Sequence, residues 1–173
     1  QLSTRIPSHL LLTDEKSKEF YGRDWIKDFK PAPCVIALPE TIEQVQHILQ
    51  TCENLVFGVV PSGGRTGLSG GATATNGEVV VSLERMRSIL EVNSTDRTIR
   101  CQAGVPLERI QLEAQNHNLY FPVDFSTRGS AQIGGNISTN AGGIRVIRYG
   151  NMREWVLGLK VVTAGGELLE LNG

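Results

Sequence analysis

Pro61-Ser62-Gly63-Gly64-Arg65-Thr66-Gly67-Leu68-Ser69-Gly70-Gly71 places five glycines in eleven residues, directly after an apolar run at 55–60. Such a stretch lets the backbone wind tightly, so that successive N–H groups can converge on an anion. Ser62, Thr66 and Ser69 add hydroxyl donors. A diphosphate needs that combination of many donors and little bulk. No Gly-Lys-Ser/Thr follows, which excludes a Walker loop, and the spacing is not that of the Rossmann fingerprint. Glycines alone would equally allow a plain flexible surface loop. Placement at the end of an expected strand, with hydroxyls interleaved, favours a ligand loop.

A second cluster, Ser130-Ala131-Gln132-Ile133-Gly134-Gly135-Asn136-Ile137-Ser138-Thr139-Asn140-Ala141-Gly142-Gly143, follows Phe121-Pro122-Val123-Asp124. Its two glycine pairs bracket a segment of small hydrogen-bonding residues, which suits close approach to a flat ligand. Taken by itself it is equally a short capped helix with turn glycines on either side.

Around these clusters the hydrophobic pattern sets the elements. Residues 1–33 are polar and proline-punctuated, ending in Lys30-Pro31-Ala32-Pro33, and read as an extended lead-in. Residues 34–38 form an expected strand. Thr41, with Gln44 three positions on, reads as a capping box, and Ile42, Val45, Ile48, Leu49 and Cys52 then share one helical face. A strand at 55–60 would complete a parallel strand–helix–strand unit. Residues 78–83 read as another strand, and 89–93 and 98–103 as a hairpin about Ser94-Thr95-Asp96-Arg97. Pro106 opens a helix to about residue 118, with Leu107, Ile110 and Ala114 inward. Two strands close the chain around Ala164-Gly165-Gly166. Parallel pairing early and hairpins late predict an α+β domain of two subdomains, one near 34–71 and the other near 72–173.

The 173 residues carry 17 basic and 18 acidic side chains, a net charge of −1. With 40% hydrophobic and 20% charged residues, this is the composition of an ordinary soluble globular chain. Near-neutral charge without a basic run argues against nucleic acid or an anionic membrane as partner. No apolar stretch nears the ~20 residues of a membrane span, and no signal peptide is evident. The expected location is cytoplasmic. Cys34, Cys52 and Cys101 are too scattered for a disulfide framework or a zinc site and read as reduced cysteines in or near the core. His47 reads as solvated and His117 as sitting at a helix C-terminus; with His9 they form no metal cluster. Arg128, Arg145 and Arg148 could attract an anion or simply face solvent. Gln1 in first place suggests a trimmed chain or an excised domain.

The two clusters in this order, followed by Arg148-Tyr149-Gly150 and Val156-Leu157-Gly158-Leu159-Lys160-Val161-Val162, resemble the FAD-binding domain of the vanillyl-alcohol oxidase/p-cresol methylhydroxylase (PCMH-type) family. Within it the resemblance is closest to the D-2-hydroxyacid dehydrogenases acting on D-lactate, glycolate or D-2-hydroxyglutarate. It runs from about Tyr21 to Gly173. It implies a PCMH-type domain with a small parallel sheet and a larger, mainly antiparallel one, each with helices. It also implies that Ser62, Gly63, Gly64, Arg65, Thr66, Gly67, Leu68 and Ser69 form the pyrophosphate loop. Pro122, Asp124 and Ser130 would line the cofactor cleft. Gly134, Gly135, Asn136, Thr139, Asn140, Gly142 and Gly143 would follow the ribityl chain, diphosphate and flavin, and Val161 would meet the adenine.

Where family members that attach FAD through this loop carry histidine, this chain has Arg65. The flavin is therefore expected to be non-covalent. Arg65 itself would sit near the diphosphate or face solvent. The implied chemistry is oxidation of a small-molecule D-2-hydroxyacid to a 2-oxoacid by hydride transfer to flavin N5. The base and the carboxylate clamp would come from a substrate domain of the parent chain, so that no catalytic residue lies here and the domain alone is expected to be inactive. A non-catalytic nucleotide- or anion-binding module and a flavin reductase of cell-wall precursor synthesis are the rival readings.

Overall fold

The computed structural model describes residues 2–172; Gln1 and Gly173, the outer ends of the expected lead-in and domain, lie outside the described residues. In chain order the strands are β1 (Leu11–Leu12), β2 (Val35–Ala37), β3 (Val59–Ser62), β4 (Val79–Ser82), β5 (Ile89–Asn93), β6 (Thr98–Cys101), β7 (Gly158–Val162) and β8 (Leu168–Asn172). The helices are α1 (Glu15–Tyr21), α2 (Ile42–Asn54), α3 (Leu107–Asn116), α4 (Ile133–Ser138) and α5 (Val146–Tyr149). The chain divides into two compact units, residues 1–85 with 157–173, and residues 86–156.

The first unit is built on a four-stranded sheet of order β1-β2-β4-β3. The strands β2, β4 and β3 run parallel, with Val35, Ile36 and Ala37 against Val79, Val80 and Val81, and Val59 to Ser62 against Val79 to Ser82. Three valines in a row suit β4 because both of its faces are covered: all four of its residues are buried. Ile36, Val80, Ile48, Cys52, Ile6 and Leu10 pack one core around it. Thr41 caps α2, its Oγ accepting from the Gln44 N–H at 3.3 Å, while the Gln44 side chain accepts from the Glu40 N–H at 2.7 Å. The hairpin β7–β8 belongs to this unit. Its turn is tied to α2 by the Gln46 Nε2 donating to the Gly166 carbonyl at 2.9 Å.

Two departures from the sequence reading have local causes. The lead-in is folded rather than extended: β1 pairs antiparallel with β2, and Asp14 caps α1 by accepting from the Ser17 N–H at 3.0 Å. And β3 starts at Val59, because residues 55–57 close α2 instead. The Phe57 N–H reaches the Cys52 carbonyl at 2.8 Å and the Val56 N–H the Glu53 carbonyl at 3.1 Å, a Schellman closure. Val56 occupies its left-handed position, φ 59°, where glycine would be usual. The parallel sheet also takes in β4, so the first unit extends past residue 71.

The second unit contains the hairpin β5–β6, whose turn is set by the Asn93 Oδ1 accepting from the N–H groups of Thr95 and Asp96, both at 3.0 Å. Leu107 and Ile110 of α3 pack with Val105, Val123, Ile133 and Met152 as a separate core. Among the described residues, antiparallel pairing thus occurs between β1 and β2 at the edge of the four-stranded sheet and in two separate two-stranded ladders, β5–β6 and β7–β8.

Among the described residues all three cysteines are free, Cys52 buried, Cys101 half-buried and Cys34 exposed. His47 differs from its solvated expectation: its Nε2 is buried and has no hydrogen-bond partner among the described residues.

Candidate FAD site

The loop after β3 is open in its hydrogen bonding. Among the described residues, no N–H from 63 to 69 donates to any protein acceptor, and the loop's own bonds are few. The Thr73 N–H meets the Gly70 carbonyl at 3.1 Å, and the Arg65 Nη1 meets the Gly63 carbonyl at 3.3 Å. Seven consecutive unpaired donors would be unfavourable in a sealed loop, but here residues 67–69 are exposed and 63–66 only half-buried. Ser62 lies at its root, 2% exposed, with a hydroxyl that has no partner among the described residues. Gly70 and Gly71 look onto open space, with no atom within 4 Å of where a Cβ would stand; Gly67 has only the Asp24 Oδ2, at 3.7 Å. Thr66 is half-buried, Leu68 and Ser69 are exposed.

The Arg65 side chain does not simply face solvent. Its guanidinium stacks over the rings of Phe20 and Tyr21, 4.3 and 4.8 Å from their centroids, and the residue itself takes φ 55°. Burial pulls the guanidinium below its ordinary pKa. The Tyr21 hydroxyl donates to Glu84 at 2.6 Å, and burial followed by that carboxylate pushes Tyr21 up to about 12.

Two residues absent from the sequence reading organise this loop. Asp24, 6% exposed, accepts the Gly70 N–H on Oδ2 at 2.8 Å, and the Trp25 N–H donates to the Gly67 carbonyl at 3.2 Å. Both partners are more than forty positions away in a polar lead-in. No local pattern signals that pairing.

The second cluster is arranged differently. Gly134, Gly135 and Asn136 lie in α4, a helix of six residues. A Cβ at Gly134 would lie 2.7 Å from the Ala103 Cβ, one at Gly142 2.7 Å from the Asn151 Oδ1, and one at Gly143 would collide with the Asp124 carbonyl. Gly135 alone of these faces open space. The Thr139 hydroxyl donates to the Gly135 carbonyl at 2.9 Å, and the Asn140 Oδ1 accepts the Arg153 N–H at 3.0 Å. Asn136 is 6% exposed, and its Nδ2, like the nearby Gln132 Oε1, has no partner among the described residues. Gln132 escaped the sequence reading because a glutamine before two glycines has no distinctive signal.

Pro122 is fully buried and Ser130 exposed. Asp124, 6% exposed, pairs with the Arg128 Nη1 at 3.2 Å and the Arg145 Nη2 at 3.4 Å. Asp124 and then Glu108 hold the Arg128 guanidinium above its ordinary pKa. These two arginines are therefore neutralised, and Arg148 lies over the Tyr149 ring, 5.1 Å from its centroid. Val161 is in β7, paired with Leu169 and 38% exposed. The first unit thus holds Ser62 to Ser69 and Val161; the second holds Pro122 to Gly143.

Residues 33–172 match the model of the FAD binding domain family. The chain is 57% identical over 171 residues to a D-2-hydroxyglutarate dehydrogenase of Xanthomonas citri pv. viticola, covering 99% of this chain and 36% of that protein. It is 55% identical to that of Stutzerimonas stutzeri, at 99% and 37% coverage, and 37% identical to the mitochondrial protein of Arabidopsis thaliana, at 94% and 29%. The chain thus spans about a third of the length of these relatives. Among solved structures it superposes on alkyldihydroxyacetonephosphate synthase with a TM-score of 0.87 at 21% identity, covering 98% of this chain and 33% of that one. For 6-hydroxy-D-nicotine oxidase from Arthrobacter nicotinovorans the values are 0.80, 20%, 94% and 35%. At such identities the likeness speaks for the fold alone, the α+β fold of PCMH-type FAD-binding domains. With 140 of its residues matched (172 − 33 + 1), the chain belongs to the FAD binding domain family.

Proposed function

We propose that this chain binds FAD non-covalently for a D-2-hydroxyacid dehydrogenase, D-2-hydroxyglutarate being the favoured substrate. The observation that carries the reading is the run of unpaired N–H groups from 63 to 69 at the carboxyl end of a parallel strand. The cofactor fits the residues present. A diphosphate supplies the acceptors those donors lack. The orphaned Asn136 amide and the open face of Gly135 suit a polar, flat ligand. In this reading Ser62 to Ser69 hold the diphosphate. Pro122, Asp124, Ser130, Gly134, Gly135, Asn136, Thr139, Asn140, Gly142, Gly143 and Val161 serve the rest of the cofactor, several of them by shaping backbone rather than by direct contact.

FAD, when bound, supplies the two-electron acceptor. This chain's residues bind and orient it, and Asp124 spends its charge on Arg128 and Arg145 rather than on substrate. The base and the clamp on the substrate carboxylate belong to a substrate domain of the full-length protein. Among the described residues no helix is long and apolar enough to cross a membrane. We place the protein in the cytoplasm by proposal; relatives from Arabidopsis thaliana and Bos taurus carry the description mitochondrial.

The test is to purify the full-length protein, assay one sample for D-2-hydroxyglutarate oxidation with an artificial acceptor and denature a second with acid. Yellow protein, flavin released wholly to the supernatant, and turnover are expected. Flavin that precipitates with the protein would refute non-covalent binding. Turnover of another D-2-hydroxyacid with none of D-2-hydroxyglutarate would refute the substrate.

A further inference from the structure

We propose that Asp24 is a positioning residue of the FAD site, its buried carboxylate holding the glycine loop in the form that leaves the donors from 63 to 69 free. The inference rests on the reading of that loop as the diphosphate site. It goes beyond that reading by adding a segment outside the matched residues 33–172.

Residues 22–26 run beside the loop and hold it, and the residues just after it, at four points. The Trp25 N–H donates to the Gly67 carbonyl at 3.2 Å, and the Asp24 Oδ2 accepts from the Gly70 N–H at 2.8 Å. The Asp24 N–H reaches the Thr73 Oγ1 at 3.4 Å, and the Ala74 N–H donates to the Gly22 carbonyl at 2.8 Å. The second carboxylate oxygen, Oδ1, accepts from the Ile26 N–H at 2.9 Å, which fixes the side chain itself. Arg65, stacked on Phe20 and Tyr21 of α1, anchors the other end.

Asp24 forms no ion pair among the described residues, yet it is 6% exposed. A buried carboxylate without a cation is costly, and here only backbone N–H groups offset it. An amide side chain could not replace it. One of its two heavy atoms is a donor, and both N–H groups need acceptors. The loop has almost no bonds of its own, and its glycines leave it many conformations. Without an external clamp, the entropy of ordering it would fall on the binding step.

The test uses the full-length protein stripped of FAD, with the variants Asp24→Asn and Asp24→Ala. FAD affinity is read by quenching of flavin fluorescence, and backbone mobility by amide hydrogen exchange. Asp24→Asn should weaken FAD by about tenfold and Asp24→Ala by more, as expected for losing hydrogen bonds to a charged group. Exchange should speed up at Gly70, Trp25 and Ile26, whose N–H groups make the bonds of this clamp, while α2 and β4 stay protected. Added FAD should restore the slow exchange.

Parent-like FAD affinity in both variants would overturn the proposal. So would equal loosening of α2 and β4, or failure of both variants to fold, since either would make Asp24 a residue of folding only. Gly67→Val serves as control. If it too binds FAD like the parent, the diphosphate reading of the loop falls; if it loses FAD while Asp24→Asn does not, only the present inference falls.

Discussion

In residues 62–71 the glycines at 70 and 71 stand beside empty space, whereas in residues 130–143 those at 134, 142 and 143 stand against the protein's own atoms. The N–H groups differ in the same sense. Those from 63 to 69 are all unpaired among the described residues. In the second segment those of Ile133, Gly134, Asn136, Thr139, Asn140 and Ala141 are consumed by Val105, Ala103, Gln132, Gly135, Ile137 and Asn136 carbonyls. Two stretches of similar composition therefore use glycine for different ends. One leaves its donors unpaired and space beside its glycines, while the other lets chain segments touch and leaves Gly135 as its open position.

The sharpest way to break this comparison is a methyl group at each kind of site. Gly143→Ala puts a Cβ into the Asp124 carbonyl at φ 85°, and should cost about 3 kcal/mol or more of stability. Thermal unfolding would measure it. Gly135→Ala, on an open helical position, should leave the melting temperature unchanged or raise it, by up to about 1 kcal/mol of stability, while weakening FAD. Equal destabilisation by the two substitutions would erase the distinction.

Val56 sharpens it from the other side, because here a left-handed backbone lacks the glycine it favours. The side chain is 93% exposed, so little burial is lost on removing it. Val56→Gly should therefore stabilise the protein by about 1 kcal/mol, seen as a higher urea midpoint at unchanged slope. A lower midpoint would mean that Val56 holds contacts its exposure hides.

The smallest effect separates the two units by pH. Burial pushes the Cys101 thiol in the second unit up to about 11 from an ordinary 9.0, and Tyr21 in the first up to about 12 from 10.0. Each is an acid whose folded pKa lies above the unfolded one. The unfolded chain thus sheds its proton first, and stability is complete below the unfolded pKa and falls as pH rises towards the folded one. The urea midpoint should hold up to about pH 9 and decline to about pH 12. In Cys101→Ala the decline should be shallower between about pH 9 and 11, with burial of the Cys34 and Cys52 thiols and then Tyr21 accounting for what remains. An unchanged slope over that range would show that the Cys101 thiol does not contribute to the decline.

Much of this was legible in the sequence, for identifiable reasons. Helix α2 announced itself through Thr41, Gln44 and the spacing from Ile42 to Cys52, and β4 through its consecutive valines. The hairpin turn was set locally by Asn93. Local chemistry of this kind needs no knowledge of the rest of the chain. The start of β3 was hidden because Val56 imitates strand composition while taking a helix-ending conformation. Asp24 and the stacking of Arg65 on Phe20 and Tyr21 were hidden because they join segments more than forty residues apart. The glycine clusters were visible as clusters, but which glycines face space and which face protein depends on packing that composition does not carry.

The central claim is that the loop from Ser62 to Ser69 holds the FAD diphosphate, and titrating FAD into the stripped full-length protein and its Gly67→Val variant tests it most directly. The valine branches project where only Asp24 lies nearby, at 3.7 Å, so folding should survive while the approach of the diphosphate is blocked. The account predicts an affinity at least about tenfold weaker in the variant, with apoprotein melting within about 2 °C of the parent. Equal FAD affinity in the two proteins would contradict it.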